Sequence, residues 1–318
     1  MPKWLRNLVL DKTPSAAKAL SGLIDGAKEA NPVCAGGTLL EKSRIEAPEL
    51  GPLAKLPPFA PVVIRLLRLF DRDDPEQTEI ASLVEADPAL TAEILGVVNS
   101  PLYPIRGSIT SPAHGVAMLG TDQMKGLATT LAMRTMLSGS PRVGIVRRLW
   151  KHSVASAAIA QELAPLLGVD KGLAYTTAVV HDLGRIGLLA AHGEAYGRLA
   201  TSTHQSVAEI LAIEQAQFGM DHCGAGLRLS RAWGLPKVFQ DAVGHHHADG
   251  SEDRGLRLVQ IACRLADAFM FQAILHQNPG APAEILQTCI AKGLPEDLTA
   301  TVEHLKLTTF ETIESLDF

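Results

Sequence analysis

The 318-residue chain has only four cysteines, Cys34, Cys223, Cys263 and Cys289, and no two of them form a Cys-x-x-Cys pair. That absence excludes a thioredoxin-like redox motif, and the wide spacing reads as reduced, buried thiols in a cytoplasmic protein. Aromatic residues make up 4% of the chain and the net charge is −5, so neither base stacking nor a basic groove steers it toward nucleic acid. No uncharged apolar run reaches the roughly 20 residues of a membrane span. The opening "MPKWLRNLVLDKTPS" is too short in its apolar part, and too soon charged, for a signal peptide. A Walker loop and a Gly-x-Ser-x-Gly elbow are both missing. "GAGLRL" from Gly224 lacks the third glycine and the preceding strand of a dinucleotide fingerprint.

What is present is helical periodicity. Hydrophobic residues are 47% of the chain and charged ones 20%, ordinary for a globular protein with one large domain or two lobes. Nearly every segment repeats its apolar residues at three and four, without sustained strand-type alternation, so the expected class is all-α. Thr13 as N-cap and Pro14 as first helical residue start a helix through "SAAKALSGLIDGAKEA". Residues 31–50 mix Gly, Pro and charge and read as a linker, making 1–50 an extension suited to partner contact. A helical lobe over 51–140 follows, broken by Asp-Pro, Asn-Ser-Pro and Leu-Gly signals. After "SGSPRVG" a second lobe spans 141–276, with helices at roughly 143–167, 171–192, 205–217, 221–232, 236–247 and 254–276, and a tail over 277–318 adds one or two more. The segment "TEIASLVEADPALTAEILGVV" has a helix–turn–helix look. From Asp73 to Ile105, however, there is no Lys or Arg to meet phosphates or base edges, so it reads as helix packing rather than DNA binding.

Within the second lobe, polar residues recur on apolar faces. His152 shares a stripe with Leu149, Ser156, Ile159 and Leu163, and Asp267 shares one with Leu256, Val259, Cys263 and Met270. His222 lines up with Ala225, Leu229 and Trp233. His181 and Asp182, in "VVHDLGRIG", follow Ala178 by three and four, and "GHHHADG" ends a helix. Buried imidazoles and carboxylates must be paired, either with one another in a hydrogen-bonded network or through a shared cation. A His-and-carboxylate set suits iron, manganese or zinc better than calcium or magnesium. Cys223, beside His222, reads as a small buried thiol rather than a nucleophile.

The order His … His-Asp … His … His-His … Asp resembles the HD superfamily of metal-dependent phosphohydrolases, in the variant whose hexad holds two metals. The closer resemblance, over roughly residues 50–275, is to the HDOD family, the HD-related output domains of bacterial signalling. It rests on "LPPFAPVVIRLLRL", "EIASLVEADPALTAEILGVVNSPLY", "SPAHGVAMLG", "LWKHSVASAAIAQELA", "AVVHDLGRIG", "FGMDHCGAGLRLSRAWGLP" and "GHHHADG". The resemblance implies an all-helical, two-lobe fold and metal ligands at His152, His181, Asp182, His222, His246, His247 and Asp267, with His245 as the extra imidazole. It further implies one or two transition-metal ions, iron or manganese ahead of zinc. The expected partners are signalling proteins, such as response regulators, diguanylate cyclases or phosphodiesterases and kinases, with a nucleotide ligand and a homodimer as further candidates.

Two departures separate the chain from the cyclic-dinucleotide phosphodiesterases of that superfamily. "HHHADGSEDRGLRL" contains no Gly-Tyr-Pro, and Arg185 stands where they carry Lys. If the protein hydrolyses a phosphodiester, Arg185 is the candidate phosphate contact. The expectation is therefore a cytoplasmic signalling regulator with little or no hydrolase activity, and the alternative is a metal-dependent phosphohydrolase acting on a nucleotide.

Overall fold

The structure is a computed structural model that describes residues 50–72, 75–99, 108–138, 142–248, 251–289 and 297–315. The helix expected from Thr13, the extension up to residue 49 and the middle of "SGSPRVG" lie outside the described residues.

Asp-Pro and Ser-Pro pairs start helices in the first block. Asp87 accepts from the amides of Ala89 and Leu90 at 3.1 Å, with Pro88 in the first turn, where a missing N–H costs nothing. Ser111 does the same for His114 at 3.2 Å ahead of Pro112. The resulting helices are α1 (Pro61–Arg68), α2 (Gln77–Glu85), α3 (Pro88–Val98), α4 (Pro112–Leu119) and α5 (Thr121–Ser138). They enclose Leu66, Ile80, Val84, Ile94, Val116 and Met124, all inaccessible to solvent. The exposed face of α3 carries Pro88, Ala89, Ala92 and Gly96, none of them a donor for phosphates or base edges. Asn99 closes this block by holding the carbonyls of Leu95 and Ile109 and the Ile109 amide, each at 2.8 Å.

The second block is built on α6 (Val143–Leu167), whose last turn ends on left-handed Gly168 at φ +66°. Around it lie α7 (Lys171–Val180), α8 (Leu183–Thr201), α9 (Val207–Phe218), α10 (His222–Ala232), α11 (Lys237–His245) and α12 (Arg254–Ala268). Asp170, Ser206, Asp221 and Asp253 cap α7, α9, α10 and α12 with their side chains. The tail supplies α13 (Pro282–Cys289) and α14 (Leu298–Ser315), and α14 packs against α6. Apart from one bridge between His204 and His276, the described residues form no β pairing. The all-α expectation holds.

Two expected helices are interrupted, and both interruptions serve the centre described below. The helix read over 171–192 breaks between Val180 and Leu183, and Asp182, at φ −93° and ψ 18°, leaves its carboxylate uncommitted to capping. The helix read over 254–276 stops at Ala268, because Met270 turns the chain at φ +72°. The α8–α10 contact depends on two glycines. A Cβ on Gly184 would sit 1.8 Å from the His222 carbonyl oxygen, and one on Gly226 would sit 3.1 Å from the Gly184 amide nitrogen as well as 2.2 Å from Val243 Cγ1 on α11. Only bare backbone lets these helices approach closely enough to put His222 beside Asp182.

Candidate metal centre

Helix ends converge on one point. His181 and Asp182 form the joint between α7 and α8, His222 is the first residue of α10, and His246 and His247 follow α11 directly. His152 projects from the middle of α6. His152, His181, Asp182, His222 and His246 are all buried.

The ring orientations are set from behind. His152 Nδ1 lies 2.7 Å from the Phe271 carbonyl oxygen, and His181 Nδ1 lies 2.6 Å from that of Ala178. His222 Nδ1 is 2.6 Å from Glu214 Oε2, and His246 Nδ1 is 3.1 Å from the carbonyls of Ala242 and Val243. Each Nδ1–H therefore donates outward, and each Nε2 lone pair points inward. The inward atoms crowd together: Nε2 to Nε2 is 3.3 Å for His152–His181 and 3.2 Å for His222–His246. Asp182 stands between the pairs. Its Oδ2 is 3.6 Å from His152 and its Oδ1 is 3.5 and 3.4 Å from His222 and His246. Four lone pairs and a carboxylate facing one another repel unless a cation sits among them.

Three overlapping donor groups result, and Asp182 forms one of them with His181 and His246. Of the other two, one contains His152, His181 and Cys263 and the other contains His222, His246 and His247. Asp182 Oδ1 and His247 Nε2 are buried without a hydrogen-bond partner, as metal-directed atoms would be before the ion arrives. These residues fit a transition metal held by imidazole nitrogen and carboxylate oxygen.

The electrostatics agree. Burial opposes a charge on Asp182, but Arg185 and the imidazoles hold its carboxyl well below the usual carboxylate range. His222 and His246 are raised to about 9 and about 10. Burial lowers both, and for His222 Arg185 does so too; Glu214 raises His222, while Cys223 and Asp182 raise His246. Protons thus take the place of the cation. His181 and His247 are held well below the ordinary imidazole value, first by burial.

Other positions fall differently. Asp267 is next to His152, but on the Nδ1 edge at 3.4 Å, and its other oxygen meets His276 Nε2 at 3.1 Å. His245 is exposed and turned back onto the Asp241 carbonyl oxygen. Cys223 is buried, 3.9 Å from His246 Nδ1. Arg185 is 4% exposed. Its Nε donates to Asp182 at 2.9 Å and a terminal nitrogen donates to Glu214 at 3.1 Å.

Sequence reasoning passed over Glu214 altogether. It is fully buried on α9 and receives the side chains of Arg185, Tyr196 and His222 and the His222 amide. Its signal was available: a carboxylate four residues after Ile210, on the inward stripe of a helix eight positions before His222. Beside the centre, a cavity of about 670 Å³ reaches His246 and His247, with Arg257, Arg264, Asp267 and His276 also in its walls. The segment "HHHADGSED" contributes Ala248 and Ser251 to that wall, while Asp253 caps α12.

The sequence profile of the HDOD domain matches residues 56–249. The chain belongs to the HDOD family. Solved structures carry the same fold. An HDOD domain protein from Geobacter sulfurreducens shares 20% identity at a TM-score of 0.67, covering 84% of this chain and 97% of that one. A Marinobacter aquaeolei protein named for signal transduction shares 20% at 0.64, covering 82% and 60%. A Shewanella amazonensis protein named as a phosphohydrolase shares 18% at 0.61, covering 84% and 97%. At these identities the likeness is one of fold alone. The HDOD chain spans 37% or less of the length of the curated relatives it matches. No helix of its described residues is long and apolar enough to cross a membrane.

Proposed function

We propose that this HDOD chain is a signal-transduction regulator that acts through protein partners, with its His/Asp centre holding a transition metal for structure or sensing rather than for turnover. The observation that carries the reading is the position of Arg185. A phosphohydrolase needs, besides ligands, cationic groups that hold the phosphate in line for attack. The cation next to the His-Asp pair, Arg185, is buried between Asp182 and Glu214, where it clamps two carboxylates. The absence of Gly-Tyr-Pro after His247 points the same way. When bound, the metal would be held by His152, His181, Asp182, His222, His246 and His247, and it would supply a positive charge that joins five helix-borne segments. Asp267 stands 3.4 Å from the Nδ1 edge of His152, which the Phe271 carbonyl oxygen holds at 2.7 Å.

The phosphohydrolase reading keeps one specific observation in its favour, the cavity over His246 and His247 with Arg257 and Arg264 in its wall. An anaerobic turnover assay with cyclic di-GMP, in the presence of iron or manganese, separates the two. The expected result is metal bound without turnover, and a signalling phenotype that does not depend on hydrolysis. Robust turnover abolished by Asp182→Ala would promote the enzyme.

A further inference from the structure

The resemblance includes Asp267 among the implied metal ligands. The geometry points to Cys263 instead: we infer that its thiolate completes a mixed nitrogen–sulfur–oxygen site with His152, His181 and Asp182, which takes zinc in preference to manganese. The inference rests on the metal reading above and refines it.

Distances decide between the two residues. Tetrahedral coordination, with metal–nitrogen bonds of about 2.05 Å and a metal–sulfur bond of about 2.3 Å, requires ligand edges of about 3.4 Å for N···N and about 3.6 Å for S···N. The observed His152 Nε2 to His181 Nε2 distance is 3.3 Å, and Cys263 Sγ lies 3.6 Å from His152 Nε2. All three donor atoms lie within 4.8 Å of one another, and Asp182 Oδ2, 3.6 Å from His152 Nε2 and 4.0 Å from His181 Nε2, is the nearest candidate for the fourth corner. Asp267 has no such access. It touches His152 on the Nδ1 edge, away from the inward Nε2, and its second oxygen is taken up by His276. A metal on Nε2 and a carboxylate beside Nδ1 face opposite edges of the ring. Asp267 therefore lies beside the back edge of His152, whose Nδ1–H is held by the Phe271 carbonyl oxygen at 2.7 Å, the kind of outer contact that orients a metal-bound imidazole.

The two residues lie four apart on the same face of α12, so one turn of helix separates them. Binding breaks the S–H bond, forms the metal–sulfur bond and releases one proton to solvent, with no change of oxidation state. Thiolate is a soft ligand that favours zinc, whereas manganese prefers oxygen-rich sets.

The test uses the full chain, stripped by chelator and titrated with cobalt(II) alone as a coloured stand-in for zinc. Equilibrium dialysis gives bound cobalt, and the near-ultraviolet thiolate-to-cobalt charge-transfer band reports sulfur ligation. The wild type and Asp267→Asn should both show the band, Cys223→Ala should keep it, and Cys263→Ala and Cys263→Ser should lose it while still binding cobalt at the second position. Bound cobalt without a band in the wild type overturns this inference and leaves the metal reading standing. So does a band that survives in Cys263→Ala or disappears in Cys223→Ala. No bound cobalt at all overturns both.

Discussion

Arg185→Met tests the buried charge cluster most directly. Methionine replaces the aliphatic stem with similar volume, so the change is one of charge and hydrogen bonding rather than of cavity. Two carboxylates, Asp182 and Glu214, lose a donor each, at 2.9 and 3.1 Å, in a site where Arg185 is 4% exposed. Removing one partner from a buried ion pair costs about 3–5 kcal/mol, because the other charge is left uncompensated. Against the roughly 5–15 kcal/mol that holds a typical domain together, that is a large share. It should lower the midpoint of thermal unfolding by on the order of 10 °C. The loss should be greatest in chelator-stripped protein. A metal between Asp182 and the imidazoles compensates one of the two carboxylates, so the loaded variant should lose less. Urea unfolding followed by far-ultraviolet circular dichroism, on stripped and loaded samples of both proteins, measures each loss. A loss below about 1 kcal/mol in stripped protein, or equal losses in the two states, would refute the clamp.

Glu214→Gln keeps the shape but weakens the acceptor behind His222 Nδ1, and should lower metal affinity about 10–100-fold by equilibrium dialysis. Asp182→Ala removes the carboxylate that stands between His152 and the His222–His246 pair, and should abolish the metal-dependent rise in melting temperature seen by differential scanning fluorimetry. Gly184→Ala forces α8 and α10 apart, since its methyl would meet the His222 carbonyl at 1.8 Å, and it should cost more than the about 1–3 kcal/mol of ordinary overpacking and reduce metal binding. His222 and His246, at about 9 and about 10, lie above the ordinary imidazole value of 6.5. In stripped protein their stabilisation is complete below that value and is lost as pH rises through about 9 to 10, so the urea midpoint should fall across this window, while metal affinity climbs as protons cease to compete.

The helical class, the Asp-Pro signal at Asp87-Pro88, the inward stripe that carries His152 and the His181-Asp182 pair were legible in the sequence. Each is written in local terms: a 3.6-residue period, a capping residue ahead of a proline, a His-Asp pair in an apolar run. Periodicity says which face of a helix is buried, and it put Asp267 and Cys263 correctly on one inward stripe of α12. It does not say which neighbour, on which other helix, each inward side chain meets. That depends on helix rotation, on the breaks at Asp182 and Met270, and on the close α8–α10 approach through Gly184 and Gly226. Only the tertiary structure brought Glu214 behind His222, enclosed Arg185 between two carboxylates, and turned Asp267 to His276 while aiming Cys263 at the centre. These contacts join residues distant in the chain, and the cost of leaving a buried charge or lone pair unmatched selects among them once the helices are packed.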